Sequence, residues 1–275
     1  MADGSGSSGA TSVTIFSDLG ASGTEIATEV GRALGFRLLP WEDLCQSAAT
    51  LYEVEPKIVR QAFDLASLLG PSDAARQRGM AYFQAALLGQ LMQGGVVYHG
   101  PSSGAGVSHQ VRIHVTGDAT GRARRHAKQH GLDPRAARKA VKASDSHWRW
   151  WSEKLARPVP FDHVVQVDHV EPDQAADQIV ELARERRFQP TTYSTQQLQQ
   201  MELAGSVRAA LAALDPTLQV KLDGQTVTVR MVTPRKPSDR VVQQIQRTAE
   251  AVDGVEQVKL QLVRDVVGSF IGTGR

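Results

Sequence analysis

Thiol chemistry is nearly absent from this chain. Cys45 is the one cysteine in 275 residues, so no disulfide can form within the chain. That fits a reducing compartment. No activating neighbours surround Cys45, so it reads as a small buried core residue rather than a nucleophile. Long apolar runs are missing too. None approaches the roughly 20 residues that a membrane-spanning helix needs, and no such helix is expected. Residues 1–12 lack a basic start followed by an apolar run, so no signal peptide is expected and a cytoplasmic location follows. They are rich in Gly and Ser and read as a flexible tail. Net charge is low, at +2, which implies no particular partner. What the chain does have is 41% hydrophobic residues, enough to bury one large core or two ordinary ones.

The chain is organised around residues 13–34. The β-rich run Val13, Thr14, Ile15 and Phe16 leads into a loop containing Gly20, Ser22 and Gly23. That loop opens a helical pattern with Ile26, Ala27, Val30, Ala33 and Leu34 on one face. Strand, glycine loop and helix form a layout that can present several N–H groups to one anion at the positive end of a helix. The full phosphate-loop pattern, G-x-x-x-x-G-K-[ST], also asks for a lysine. Residues 18–25 contain none, and Thr24 stands in its place. Such a site would hold an anion through backbone N–H groups and the Ser22 and Thr24 hydroxyls. A tight turn that binds nothing is the alternative.

Further along, strands and helices alternate. Short strands are expected at 36–39, 96–99, 110–115 and 163–167. Helices are expected from 44 to 52, from Pro56 to about Leu69, from Ser72 to about Met92, and at 120–130. Another begins at Asp133-Pro134, with a cap followed by proline in the first helical position. A helix at 174–186 closes the series. This alternation argues an α/β layered domain with a mostly parallel sheet, whose ligands bind beyond the carboxyl ends of the strands. The loops after Phe16, His99 and Val115 would lie on that edge. Residues 188–197 contain Pro190 and read as a linker. After it the order is α-β-β-α-β: a helix at 196–214, strands at 218–222 and 226–232 joined through Asp223-Gly224, a helix at 238–252 and a strand at 255–263. This makes a small α+β domain at 198–264. Residues 265–275 read as a loose tail.

Two further constellations bear on chemistry. Residues 112–157 hold twelve Lys or Arg against the four acids Asp118, Asp133, Asp145 and Glu153. This basic segment could close over phosphate as a lid, or be a solvated helical face. The aromatics near it, Trp148, Trp150 and Trp151, have a spacing suited to packing, and nucleic-acid binding is not expected. The second is histidine. His126 and His130 are one turn apart, but spacing suggests no third ligand, and no metal-binding side-chain cluster is expected.

In their order, these pieces resemble the cytidylate-kinase-like family of P-loop proteins, over residues 13–187. The carriers are Val13, Thr14 and Ile15, then Gly20, Gly23, Glu25, Ile26 and Ala27, the strand ending at Gly100, the strand and arginines of 111–125, and Lys142 with Asp145. The resemblance implies a P-loop kinase-like fold. It implies a nucleotide held by Gly20, Ala21, Ser22, Gly23, Thr24, Glu25, Arg122, Arg125 and Arg138, with Asp145 in a retained helix motif. ATP or another nucleotide, with Mg²⁺, is the implied ligand. The chain departs from the family pattern at Ser17, Thr24, Pro40, Pro101 and Trp148, where charged or polar groups are usual. Phosphoryl transfer rests on positioned positive charge, each such group being worth about 2–4 kcal/mol in the transition state. Losing several should remove ordinary kinase activity, so no catalytic residue is assigned.

The C-terminal segment resembles a BON domain through Val207, Ala210 and Leu211, through Val227, Thr228 and Val229, and through Val252, Asp253, Gly254, Val255 and Val258. The family's glycine falls on Met231. The resemblance implies contact with phospholipid or a protein partner, of which the protein partner suits a chain without an export signal. The expectation is therefore a nucleotide-binding regulatory or sensor protein. It would combine a degenerate, pseudokinase-like nucleoside monophosphate kinase domain with a BON-like module and show little or no phosphotransfer. A homodimer is compatible with this. One alternative is an active, divergent cytidylate-type kinase passing phosphate from ATP to a nucleoside monophosphate. Another is a scaffold that binds no nucleotide.

Overall fold

Five short β-rich segments build one sheet. The computed structural model describes residues 11–64, 71–101, 106–154, 160–233 and 236–264. Parts of the sequence reading fall outside these residues: the tails at 1–10 and 265–275, residues 65–70, the glycine-rich 102–104, and Arg157. The strands are β1 (Ser12–Ser17), β2 (Arg37–Pro40), β3 (Val96–His99), β4 (Gln110–Thr116) and β5 (His163–Gln166). They lie in the order β2-β3-β1-β4-β5, and every neighbouring pair is parallel. Parallel strands need crossovers, and helices provide them. Among these are α1 (Gly23–Leu34), α2 (Trp41–Leu51), α3 (Pro56–Arg60), α4 (Asp73–Met92), α5 (Ala119–His130), α6 (Pro134–Lys154) and α7 (Pro172–Arg184). This is the α/β layered architecture with a parallel sheet that the alternation of elements implies, and it agrees with the P-loop kinase-like fold that the resemblance implies.

Alternation along the central strands decides which side each residue serves. Val13 and Ile15 of β1, Val97 of β3, and Val111, Ile113 and Val115 of β4 face one core, with no exposed surface. Ile26, Ala27 and Val30 of α1 and Ala175 and Ile179 of α7 cover them. The parallel register puts Phe16 opposite His114, and Ile15 opposite His99. The ends of β1, β3 and β4 therefore meet at one edge. Arg112 and Asp162 clamp the start of this region with a two-pronged ion pair at 2.8 Å.

Two helix boundaries differ from the expectation. The helix that starts at Pro56 passes into a tight helical turn at Gln61–Phe63, and Asp64 is already extended. The segment 188–197, read as a linker, contains the start of α8 (Thr192–Ala212). There the Thr191 amide donates to Ser194 Oγ at 2.9 Å, and the Ser194 amide donates to Thr191 Oγ1 at 3.1 Å. This reciprocal cap starts the helix where composition alone reads as loop.

The chain divides into two compact units, one made of residues 1–44 and 89–197, the other of 45–88 and 198–275. The first holds the parallel sheet. In the second, the helices between β2 and β3 share a unit with most of α8 and the chain that follows. Tyr52 stacks on Tyr82 at 4.9 Å, Phe63 meets Phe83 edge-on at 4.7 Å, and Arg208 donates to Gln84 at 3.0 Å. The same unit contains β6 (Gln219–Asp223), β7 (Thr226–Thr233), α9 (Asp239–Glu250) and β8 (Gln257–Arg264). The β6-β7 pair is antiparallel and the β7-β8 pair parallel. Val207, Leu211, Val227, Val229 and Ile245 fill its core. Cys45 is fully buried and unoxidised.

Ile113 is fully buried at the centre of the parallel sheet. Ile113→Ala should cost about 2–5 kcal/mol, because the surrounding core cannot close the gap. Tyr193→Ala, at a site 74% exposed, should change stability by no more than about 0.5 kcal/mol. Urea unfolding followed by tryptophan fluorescence checks both.

Candidate functional site

The β1 strand ends at Ser17, and the chain turns before α1 begins at Gly23. The Asp18 amide donates to Val115 O, and the Ala21 amide donates back to Asp18 O. Gly20 has φ of 82°, and Ser22, the helix cap, has φ of 57°. The Ile26 amide is the first to bond within the helix, to Ser22 O at 3.0 Å. The amides of Gly23, Thr24 and Glu25 therefore have no acceptor in the helix, and they stand at its positive end.

Two glycines are required by space. A Cβ on Gly20 would lie 2.2 Å from the carbonyl oxygen of Arg122. A Cβ on Gly23 would lie 2.1 Å from Ser17 Oγ and 2.8 Å from His99 Nε2. The loop thus sits against α5 on one side and against the end of the sheet on the other. Beneath it, Ser17 Oγ and His99 Nε2 share a hydrogen bond of 2.9 Å. Burial lowers the pKa of His99 below its ordinary value, so the ring is held neutral.

Arginines from α5 hold the loop. Arg122 is buried, and each nitrogen of its guanidinium makes a hydrogen bond. Nε donates to Gly117 O at 2.9 Å, and Nη1 donates to Leu19 O at 3.3 Å. Nη1 and Nη2 also grip both oxygens of Asp145 on α6, at 2.9 and 2.8 Å. Arg125, one turn on, donates from Nε to Gly20 O at 2.9 Å and from Nη1 to Val167 O at 3.3 Å. Its Nη2 lies 3.8 Å from Asp168 and makes no hydrogen bond. Asp118 starts this helix by accepting from the amides of Thr120 and Gly121, each at 2.9 Å. The Asp118 amide in turn donates to the carboxylate of Asp168.

A cleft of about 680 Å³ opens beside the loop. Ser22 and Glu25 line one side, Arg125, Lys128 and Gln129 another, and residues 167–172 a third. Two cations, Arg125 and Lys128, thus share a cleft with the start of α1. Ser22, Glu25 and Asp168 bring oxygen donors of the hard kind that Mg²⁺ prefers, so the residues present fit that ion.

The predicted residues fall into two groups. Residues 20–25 form one loop, and Arg122, Arg125 and Asp145 converge on it. Arg138 does not join them. It is exposed on α6 and has no hydrogen bond or ion pair among the described residues.

Sequence reasoning missed Asp18, His99, His114, Lys128 and Asp168. Asp18 accepts from His114 Nε2 at 3.0 Å and from Thr116 Oγ1 at 2.5 Å. Burial pushes its carboxyl pKa up. The bonds from His114 and Thr116 and the nearby charges of His114 and Arg122 outweigh this, and the net shift is downward. Strand alternation carried a signal for it, since continuing the β1 pattern one residue past Ser17 puts Asp18 on the face of Phe16, as His114 and Thr116 share one of β4. Trp148 packs edge-on against Phe16 at 5.6 Å and against Trp151 at 5.8 Å, as its spacing implied. The rings of His126 and His130 have their centres 4.6 Å apart, and no group of three His, Cys, Asp or Glu side chains placed to hold a metal ion gathers among the described residues.

A model of the cytidylate kinase-like family matches residues 12–163. No curated protein matches. Among solved structures, an uncharacterized protein from Eubacterium ventriosum is 14% identical, with a TM-score of 0.46, covering 64% of this chain and 99% of its own. The TT1252 protein of Thermus thermophilus is 15% identical, with a TM-score of 0.39, covering 63% of this chain and 96% of its own. The shikimate kinase of Acinetobacter baumannii, solved with shikimate, is 12% identical, with a TM-score of 0.35, covering 63% and 92%.

Two outcomes test this geometry. Asp145→Ala leaves the buried Arg122 charge without its partner and should cost about 3–5 kcal/mol in a urea titration. His99 takes up its proton less readily when folded than when unfolded, so the unfolded state binds more protons as pH falls below 6.5. Stability should fall across that window and be unaffected by His99 at higher pH. His99→Gln should flatten the dependence in melting curves recorded between neutral and mildly acidic pH.

Proposed function

The chain belongs to the cytidylate kinase-like family, and on that footing we propose that it is a nucleotide-binding protein that transfers little or no phosphate. The reading rests on one observation above all. Ser22 and Glu25 at the start of α1 and the cations Arg125 and Lys128 border the same cleft, while no lysine stands in the loop. Phosphate would lie on the amides of Gly23, Thr24 and Glu25, with Ser22 and Thr24 hydroxyls beside them. The Arg125 guanidinium and the Lys128 ammonium would meet its charge. Residues 167–172 would flank the remainder of the nucleotide.

Mg²⁺ carried in with the phosphates would be held by Ser22, Glu25 and Asp168 and would neutralise phosphate charge. Arg122 and Asp145 serve in this reading as positioning residues. Their mutual bonds hold the guanidinium against Asp145 and the loop carbonyls, so in this reading they shape the loop and do not grip the ligand. Arg138 stands apart from the cleft and has no part in it.

Weak transfer follows from what has replaced the charged positions. Ser17 is bonded to His99, and Trp148 is packed on Phe16. Neither can stabilise charge that develops on a transferring phosphoryl group. Each missing cation would forgo about 2–4 kcal/mol of transition-state stabilisation. A sensor needs binding and a readout. Here the readout is assigned to the C-terminal unit, whose BON-like character suits contact with a partner and not chemistry.

Calorimetry against a panel of nucleotides, with Mg²⁺, tests the proposal. At least one nucleoside triphosphate should bind to a single site. Arg125→Ala should weaken it about 10- to 100-fold, the value of a charge-assisted hydrogen bond. Gly23→Asp should abolish it, with circular dichroism reporting that the variant is folded. Robust transfer of labelled phosphate from ATP to CMP would contradict the proposal, as would no binding across the panel.

A further inference from the structure

The sheet of the second unit has one face in the core and one in solvent. Val220, Val227, Val229, Val258 and Leu260 face the core. Strand alternation sends the residues between them to the other side. The strand register then sets two rows across that open face. One row runs Lys221, Thr228, Lys259, and the next runs Gln219, Arg230, Gln261. The two lysines flank Thr228, and each sits diagonal to Arg230.

Neighbouring strands lie about 4.8 Å apart, and diagonal positions about 7–8 Å. Three cations therefore occupy one small patch, where like charges on facing strands cost stability. Lys221, Arg230 and Lys259 are all exposed, and none makes an ion pair among the described residues. Arg230 has a single long contact, 3.4 Å, to the side chain of Gln219. Among the described residues, the one carboxylate on this face is Asp223, at the far end of β6. A depression of about 330 Å³ lies in the patch, lined by Gln219, Lys221, Thr228, Arg230 and Gln261 among others.

We propose that this open face docks an acidic segment of a partner protein. Charge complementarity selects the sign, since three uncompensated cations gain most from carboxylates. The arginine fork accepts a carboxylate on two prongs, a geometry that lysine cannot match. The Gln219 and Gln261 amides and the Thr228 hydroxyl offer both donors and acceptors to a peptide main chain. Among the described residues no aromatic side chain stands on this face, so they offer no platform for stacking bases. The large apolar residue exposed on it, Val232, lies at its edge, opposite Val263, so the patch has nothing to insert into a lipid bilayer.

The test is fluorescence anisotropy with a labelled polyglutamate peptide and the full chain. Phosphatidylserine vesicles and a single-stranded RNA serve as competing probes. The peptide should bind, and more weakly as salt is raised. The triple variant K221E/R230E/K259E alters only solvent-facing side chains and should lose at least tenfold in affinity with an unchanged circular dichroism spectrum. R135E/K139E on α6, which also reverses exposed positive charge, should leave peptide binding as it was. Peptide binding that survives the triple reversal, or falls equally in the α6 variant, overturns the proposal. So does capture of vesicles or RNA in place of the peptide, or binding to none of the three.

Discussion

A buried guanidinium holds the candidate site together. Arg122 ties the loop after β1 to α5 and α6 through Leu19 O, Gly117 O and the two oxygens of Asp145. Its own carbonyl fills the space where a side chain at Gly20 would be. A cation this deeply placed survives only if its donors are satisfied, and here every branch of it is. The glycine at position 20, the acid at 145 and the turn of the loop are consequences of one constraint. Arg125 adds a second tether through Gly20 O and keeps one branch unspent. On the proposed reading, the first of these two arginines is structural and the second also meets the ligand.

On the proposed reading, the same geometry lets an anion site outlast its catalytic charge. Amides at a helix start need only a loop that aims them, and the loop is aimed by Arg122, Gly20 and Gly23. Transition-state charge needs cations placed for the moving phosphoryl group. At Ser17 that position is filled by a neutral hydroxyl bonded to a neutral His99. At Trp148 it is filled by an aromatic ring in a packed cluster with Phe16 and Trp151. Both replacements are integrated into their surroundings, so restoring one cation would disturb packing as well as charge.

Much of the fold was legible because local rules and tertiary structure agree. Alternation in residues 110–115 gave β4, Asp133-Pro134 gave the start of α6, and the glycine loop gave α1. The start of α8 was not legible, because the Thr191 and Ser194 cap overrides a composition that reads as linker. Within the site, residues 20–25 could be read because they are contiguous. The bond from Ser17 to His99 spans 82 positions, and the grip of Arg122 on Asp145 spans 23. No spacing rule links such pairs; the parallel pairing of β1 with β3 makes the first and the packing of α5 on α6 the second. That is also why an excess of basic residues across 112–157 could not separate Arg122 and Arg125, which are folded onto the loop, from Arg138, which is not.

The central claim is that a nucleotide occupies the cleft between the start of α1, α5 and residues 167–172. Hydrogen exchange of the backbone amides, with and without saturating Mg²⁺ and ATP, tests it most directly. The account predicts slowed exchange in residues 20–28, 122–129 and 167–172, with ATP left unconverted in the same sample. Unchanged exchange in those three segments, or protection confined to other parts of the chain, would contradict it.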